Sequence, residues 1–377
     1  MRGYDGNVSQ NRTFEIQKKS MKIFTVVGAR PQFIKAAVVS RAFTEHRPDI
    51  SEILVHTGQH YDDNMSAVFF EELNIPRPVH NLGVGGGTHG QNTGRMLERL
   101  EELMLIENPS WVLVYGDTDS TLAGALAAAK LNIPVAHVEA GLRSFNRRMP
   151  EEINRVLTDH AAAILFAPTE LARTNLRNEA IAAEKIHVVG DVMYDAALFY
   201  KERAFKPSWF DALEIARNEF VLCTVHRAEN TDDPKRMQAI FDGLEGAALP
   251  VVLPLHPRTK YKLRQMEMKL PANIKVVDPV GYLEMVWLEV NCKLIATDSG
   301  GVQKEAYFHQ KPCITLRDET EWVELVERKV NQLTGANVIE IKHAISRAFF
   351  PPTETSLYGI GKAAQSIVEK LVRRNDF

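Results

Sequence analysis

The chain has 377 residues, enough for two domains of ordinary size, and its 45% hydrophobic and 25% charged residues are globular proportions. A net charge of −3 gives no electrostatic case for nucleic acid or for an anionic membrane. No apolar run reaches the ~20 residues of a membrane span, and Cys223, Cys292 and Cys313, an odd set without metal-type spacing, point to a reduced, cytoplasmic protein.

Residues 1–20 are polar, with scattered charges and no hydrophobic segment. They read as a disordered leader and not as a signal peptide, with Met21 as a second start. From there short β-rich runs alternate with helical patterns. Strands are expected at 23–27, 53–57, 111–115, 135–138, 164–167 and 187–189, then at 220–224, 251–255, 274–277, 294–297 and 313–316. Helices such as 120–131 and 151–163 fill the gaps. This alternation means βαβ units and parallel sheets. The rhythm loosens at 200–211, where Lys206-Pro207-Ser208 breaks it. The fold class is therefore α/β, two doubly wound units with a cleft between them, divided as 21–195 and 196–360.

The chemistry-bearing residues stand at strand ends, where open parallel sheets present their ligand crevice. Asp117 follows the run 111–115, Glu139 follows 135–138, and Glu151 opens the next helix. Three carboxyl groups in successive βα connections suit proton transfer better than helix capping. Gly28 to Lys35 forms a tight turn into a helix, with Arg30 and Lys35 offering cations beside an N-terminus fit for an anion. Ser299, Gly300 and Gly301 repeat that logic in the second half, and Glu305 on the following helix is placed to accept from ribose hydroxyls. His226 beside Arg227, directly after a buried strand, reads as phosphate-facing, and His256 is a weaker second instance. With an anion site in each half, the natural ligand is a nucleotide diphosphate spanning the cleft. Gly85-Gly86-Gly87-Thr88-His89-Gly90 matches a dinucleotide fingerprint formally, but it does not follow the first strand and reads as a loop. His137, Glu139 and Asp117 lack paired-ligand spacing, so no metal is expected.

The runs GARPQFIK (28–35), YGDTDST (115–121), HVEAGLRS (137–144), MPEEINR (149–155), HRAEN (226–230) and TDSGGVQKEA (297–306) together resemble the non-hydrolysing UDP-N-acetylglucosamine 2-epimerase family. The resemblance implies two Rossmann-like domains arranged as in type B glycosyltransferases, with a C-terminal helix within 361–377 packing back on the first. It implies inversion at C2 of a UDP-2-acetamido sugar without cofactor or metal, by anti elimination of UDP to a 2-acetamidoglucal and re-addition. It makes Asp117, Glu139 and Glu151 the catalytic carboxylates, His226 the phosphate-side catalytic residue, and Arg30, Lys35, Ser299, Gly300, Gly301 and Glu305 the UDP contacts. A homodimer supplying surface-polysaccharide precursors is the family's usual form.

Several positions depart from the family pattern. Gln32 stands where Glu is common, Met285 replaces an aromatic residue beside the uracil, and Glu321-Trp322-Val323-Glu324 replaces Glu-Arg-Pro-Glu. The segment at His89, and Asp62, lack the groups that hold an activating second UDP-GlcNAc in many bacterial members, so no sigmoidal response is expected. Two substrates stand: UDP-GlcNAc, and the UDP-2,3-diacetamido-2,3-dideoxyglucuronate of a related branch, with Arg30, Lys35 or Arg143 as partners for its extra carboxylate. The rival activities are a glycosyltransferase of the same fold, a hydrolysing epimerase and a nucleotide-sugar sensor.

Overall fold

The computed structural model describes residues 21–59, 70, 77–352 and 357–373. The leader 1–20 and Asp62 lie outside the described residues. Seven strands form the first sheet: β1 (Lys22–Val27), β2 (Ser51–His56), β3 (His80–Asn81), β4 (Trp111–Tyr115), β5 (Val135–Val138), β6 (Ile164–Ala167) and β7 (Ile186–Val188). Six form the second: β8 (Val221–Thr224), β9 (Val251–Pro254), β10 (Ile274–Val277), β11 (Leu294–Thr297), β12 (Cys313–Thr315) and β13 (Asn331–Leu333). The spatial orders are β3-β2-β1-β4-β5-β6-β7 and β10-β9-β8-β11-β12-β13, parallel throughout. In each sheet the order in which the chain adds strands reverses once, between β1 and β4 and between β8 and β11. Those two switch points are where such folds bind ligands.

The central strands are near-continuous apolar runs because helices cover both faces. β3 and β13 were not among the expected strands. They are short edge strands carrying polar residues, and edges need no apolar alternation. Helix Asp119–Lys130 opens directly after the YGDT turn, where the Thr118 side chain accepts from the Thr121 amide. Helix Pro150–Ala161 starts on a proline whose missing N–H costs nothing at that position.

One apolar cluster ties the halves together. Helix Arg30–His46 contributes Ile34, Val38 and Phe43, and helix Val192–Lys201 contributes Ala196, Ala197 and Tyr200. Helix Ala363–Arg373 adds Ile367, Val368 and Leu371, and the second unit adds Tyr282, Tyr307, Phe308 and Trp322. Helix Val192–Lys201 leaves the first sheet and packs on helices Tyr282–Asn291 and Gly300–Phe308 of the second. The switch-point turns of the two sheets are brought together across this shared core.

Candidate active site

After β4 the chain turns through Gly116 at φ +63°, and a side chain here would also stand 3.3 Å from both Glu139 Oε2 and Lys35 Nζ. Asp117 follows. Its carboxylate accepts from Arg155 on helix Pro150–Ala161, and Arg155 donates in addition to Glu152 at 2.9 Å. Asn154 of the same helix holds the loop from below, donating to the Asp117 carbonyl at 3.0 Å and to Asp119 at 3.1 Å. Glu139 follows β5 in a left-handed conformation, φ +70°, an uncommon setting for glutamate that is frequent at functional sites. Its side chain is nearly buried and takes ammonium groups from Lys35 and, at 2.9 Å, from Lys304. Burial first, then the nearby Lys304 ammonium, push Lys35 down to about 8.

Asp117, Glu151, Lys35 and His89 line a common cavity of about 260 Å³. Glu151 is exposed, on the first turn of its helix. Gln32 lies in the cavity floor. Its Oε1 accepts the Gly28 and Ala29 amides at 2.8 and 3.0 Å, while Nε2 donates to the Tyr115 carbonyl at 2.8 Å. An ionised glutamate has no N–H for that last bond, so the amide at this position fits its neighbours.

The second unit supplies the opposite wall. Buried Asp298 accepts the His226 and Arg227 amides at 3.0–3.1 Å and the Asn230 amide nitrogen at 3.1 Å, fixing the turn after β8 to that after β11. His226 keeps its imidazole 3.4 Å from Asp298 and 42% exposed. Burial lowers the His256 pKa, and the positive charges of His226, Arg258 and Arg30 lower it further. Burial raises the pKa of Glu305, and the Arg30 charge works against that rise. Arg30 of the first unit thus sits within electrostatic reach of His226, His256 and Glu305 of the second.

Ser299 precedes helix Gly300–Phe308, and its amide donates to Thr297 Oγ1 at 2.9 Å. A Cβ on Gly300 would stand 2.4 Å from Glu321 Oε1, and Glu321 is itself held by Arg317 at 2.8 Å. Trp322 donates its indole N–H to the Gly300 carbonyl at 2.9 Å. In place of a family arginine, then, tryptophan braces the glycine turn. Glu305 accepts from the Tyr282 hydroxyl at 3.3 Å, and burial with the neighbouring Glu305 holds Glu289 well above the usual carboxylate range. Met285 is half-buried on helix Tyr282–Asn291, packed beneath the second sheet.

One expected residue is elsewhere. Arg143 does not join the cavity. Its guanidinium donates to both Glu179 oxygens at 2.7 Å and to the Leu142 carbonyl at 2.6 Å, and lies 2.8 Å from Asp159, with the side chain 1% exposed. Gly141, at φ +83°, turns the chain away from the crevice two residues earlier. His137 is also internal, bonded to Asp159 at 2.7 Å and to the Gly116 carbonyl at 2.8 Å. Among the described residues no cluster of His, Cys, Asp and Glu is arranged to hold a metal.

Sequence reasoning missed Arg155, Asn154, Asp191 and Lys304. Lys304 stands inside the TDSGGVQKEA run, one residue before Glu305, and that cation on the helix's first turns was the available signal. Asp119 and His89 pair at 2.8 Å on the cavity rim, also unanticipated.

Comparison with known proteins identifies the family and the fold. The sequence model of a family described as UDP-N-acetylglucosamine 2-epimerase matches residues 42–372. A UDP-2,3-diacetamido-2,3-dideoxy-D-glucuronate 2-epimerase from Pseudomonas aeruginosa is 54% identical over 360 residues, spanning 94% of this chain and all of that one. A UDP-N-acetylglucosamine 2-epimerase from Methanocaldococcus jannaschii is 46% identical, over 93% of this chain and 99% of its own. The crystal structure of M. jannaschii UDP-GlcNAc 2-epimerase with UDP-GlcNAc and UDP superposes with a TM-score of 0.84 at 45% identity, covering 94% of this chain and 100% of that one. The Neisseria meningitidis enzyme bound to UDP-GlcNAc gives 0.82 at 30% identity, over 94% and 100%.

Proposed function

The chain belongs to the UDP-N-acetylglucosamine 2-epimerase family, and from that premise we propose that it inverts C2 of a UDP-2-acetamido sugar by elimination and re-addition of UDP. What carries the reading is the opposition of two walls. On one, Asp117 and Glu151 line the cavity beside the β1–β4 switch point, with Glu139 nearly buried behind Gly116; on the other, His226 and the Ser299-Gly300-Gly301 turn gather around the β8–β11 switch point, with Arg30 between them. A UDP-sugar laid across this cleft puts its diphosphate at the cationic turn and the helix N-terminus, and its sugar among the carboxylates.

The steps follow from that placement. The C1–O bond breaks, and its electron pair leaves with UDP, whose negative charge Arg30, His226 and the helix amides receive. A carboxylate takes the C2 proton, and the C2–H electron pair becomes the C1=C2 bond of a 2-acetamidoglucal. Return of a proton to the other face of C2, with UDP re-adding at C1, gives the epimer. Neither wall alone does this, because the C2–H bond is acidic only while the C1–O bond is breaking.

For the substrate we favour the UDP-2,3-diacetamido-2,3-dideoxyglucuronate, supported by the 54% identical relative that matches over its whole length, with UDP-GlcNAc as the second reading. The three cysteines are free and buried, in keeping with a cytoplasmic setting. The test is proton NMR in deuterated water with each UDP-sugar. Deuterium at C2 of the product is expected, with the uronate turned over at least as well as UDP-GlcNAc. Retention of protium at C2 with both would overturn the elimination route, and a clear preference for UDP-GlcNAc in kcat/KM would overturn the substrate choice.

A further inference from the structure

Glu139 is reached from both halves of the molecule. Lys35, on the helix after β1, bonds Oε2. Lys304, on helix Gly300–Phe308 of the second unit, bonds Oε1 at 2.9 Å and Asp191 Oδ2 at 2.6 Å. Lys304 and Asp191 are 3% and 0% exposed, so these are internal ion pairs and not surface decoration. Asp191 is itself fixed, since Oδ1 accepts the Met193 amide at 2.8 Å as the cap of helix Val192–Lys201. The Lys304 ammonium also lies 4.3 Å from the Trp322 ring, the residue that braces the Gly300 turn. Two ammonium groups and two carboxylates balance inside this cluster, with Asp117 and Arg155 beside it.

A nearly buried carboxylate without cations takes up a proton and ceases to be a base. In this reaction departure of the diphosphate makes the C2 proton acidic, so the base has to be charged more than it has to be strong. We propose that Lys304 is a positioning residue for Glu139: contributed by the second unit and held by Asp191, it completes a two-cation clamp with Lys35 that keeps Glu139 a carboxylate able to take the C2 proton. The base is thereby armed only where the two units meet. This rests on the epimerase reading above and deepens it, assigning Glu139 the deprotonating role and leaving exposed Glu151 nearer to solvent for proton return.

Asp117, Asp191 and Arg155 face the clamp around Lys35, and Glu305 and Glu324 face it from the elements around Lys304. Removing Lys304 changes Glu139 and Lys35 in a readable way. Glu139 loses a cation, so the acidic limb of the kcat profile moves to higher pH. Lys35 loses a like charge, so the alkaline limb moves up as well. The experiment compares wild type with Lys304→Met, Lys304→Arg and Asp191→Asn, following C2 deuterium exchange, kcat and KM across pH, and thermal unfolding. Lys304→Met is expected to lose roughly tenfold or more in kcat at neutral pH with KM for the UDP-sugar little changed. Both limbs shift upward, Lys304→Arg restores the profile, and Asp191→Asn moves it part of the way. Should Lys304→Met fail to fold, Asp191→Asn decides by the same limbs. If the wild type exchanges at C2 and the profiles of the folded variants superpose on it, this proposal fails alone. If the wild type does not exchange at all, the epimerase reading fails first.

Discussion

Arg143 and Arg155 have nearly the same burial and opposite meanings. Arg155 turns one nitrogen to Asp117 in the cavity wall, whereas Arg143 spends its whole guanidinium on Asp159, Glu179 and a carbonyl. In the sequence Arg143 lies four residues past Glu139 and inherits its expected role by proximity; the left-handed turn at Gly141, which no spacing rule reveals, separates them. Arg143→Met should therefore cost stability, about 3–5 kcal/mol for a broken buried charge set, measured by urea unfolding, with UDP affinity of the folded protein unaltered. The carboxylates are the opposite case, because strand ends made them legible. Asp117→Asn, Glu139→Gln and Glu151→Gln should each lower kcat by roughly 10²-fold or more, with UDP affinity by calorimetry little changed; full activity in two of the three would remove the three-carboxylate mechanism. Lys35 adds a pH limit. Its amine, held at about 8 by burial and by Lys304, loses its charge at a lower pH than an exposed lysine does. Activity should accordingly fall as pH rises through about 8, and Lys35→Arg should move that limb upward.

At the scale of elements, short apolar runs marked every central strand, and what escaped were β3 and β13, too short and too polar to show periodicity. The turns themselves carry the more exacting constraints. A Cβ at Gly28 would stand 2.1 Å from Ser120 Oγ and 2.2 Å from Thr57 Oγ1, two hydroxyls that already bond each other at 2.8 Å. Gly28→Ala should cost about 1–3 kcal/mol of stability as an overpacked contact. Gly300→Ala differs, since its obstacle is the Glu321 carboxylate at the start of the candidate anion turn. Weaker UDP binding in calorimetry, with a melting temperature close to wild type, is the expected result. The motif strings showed that glycines belong at both turns, but not that one guards packing and the other a ligand wall.

At the scale of the molecule, helix Ala363–Arg373 returns to lie on helix Arg30–His46. Its Ile367, Val368 and Leu371 are fully buried, each burial contributing about 1.5–3 kcal/mol before the cost of ordering the chain. Asp195 of helix Val192–Lys201 accepts the Ala363 and Ala364 amides at 3.1 and 2.8 Å, and burial pushes its carboxyl up to about 6. A carboxyl that holds its proton more tightly when folded adds stability below the unfolded value near 4, and loses that contribution as pH rises through about 6. The stability difference between wild type and Asp195→Asn, measured by urea unfolding, should therefore shift against wild type across that interval and level off above it. The returning helix also sets an order in time. Residues 30–46 leave the ribosome early, and residues 363–373 emerge only after the whole second unit has been made. Through that interval the first sheet carries a bare apolar strip along its opening helix, so a chain stalled or clipped beyond residue 220 presents the surface that chaperones and proteases read as unfinished. Translation of the second unit thus becomes a clock for the first, and the half of the protein that is synthesised first is completed last.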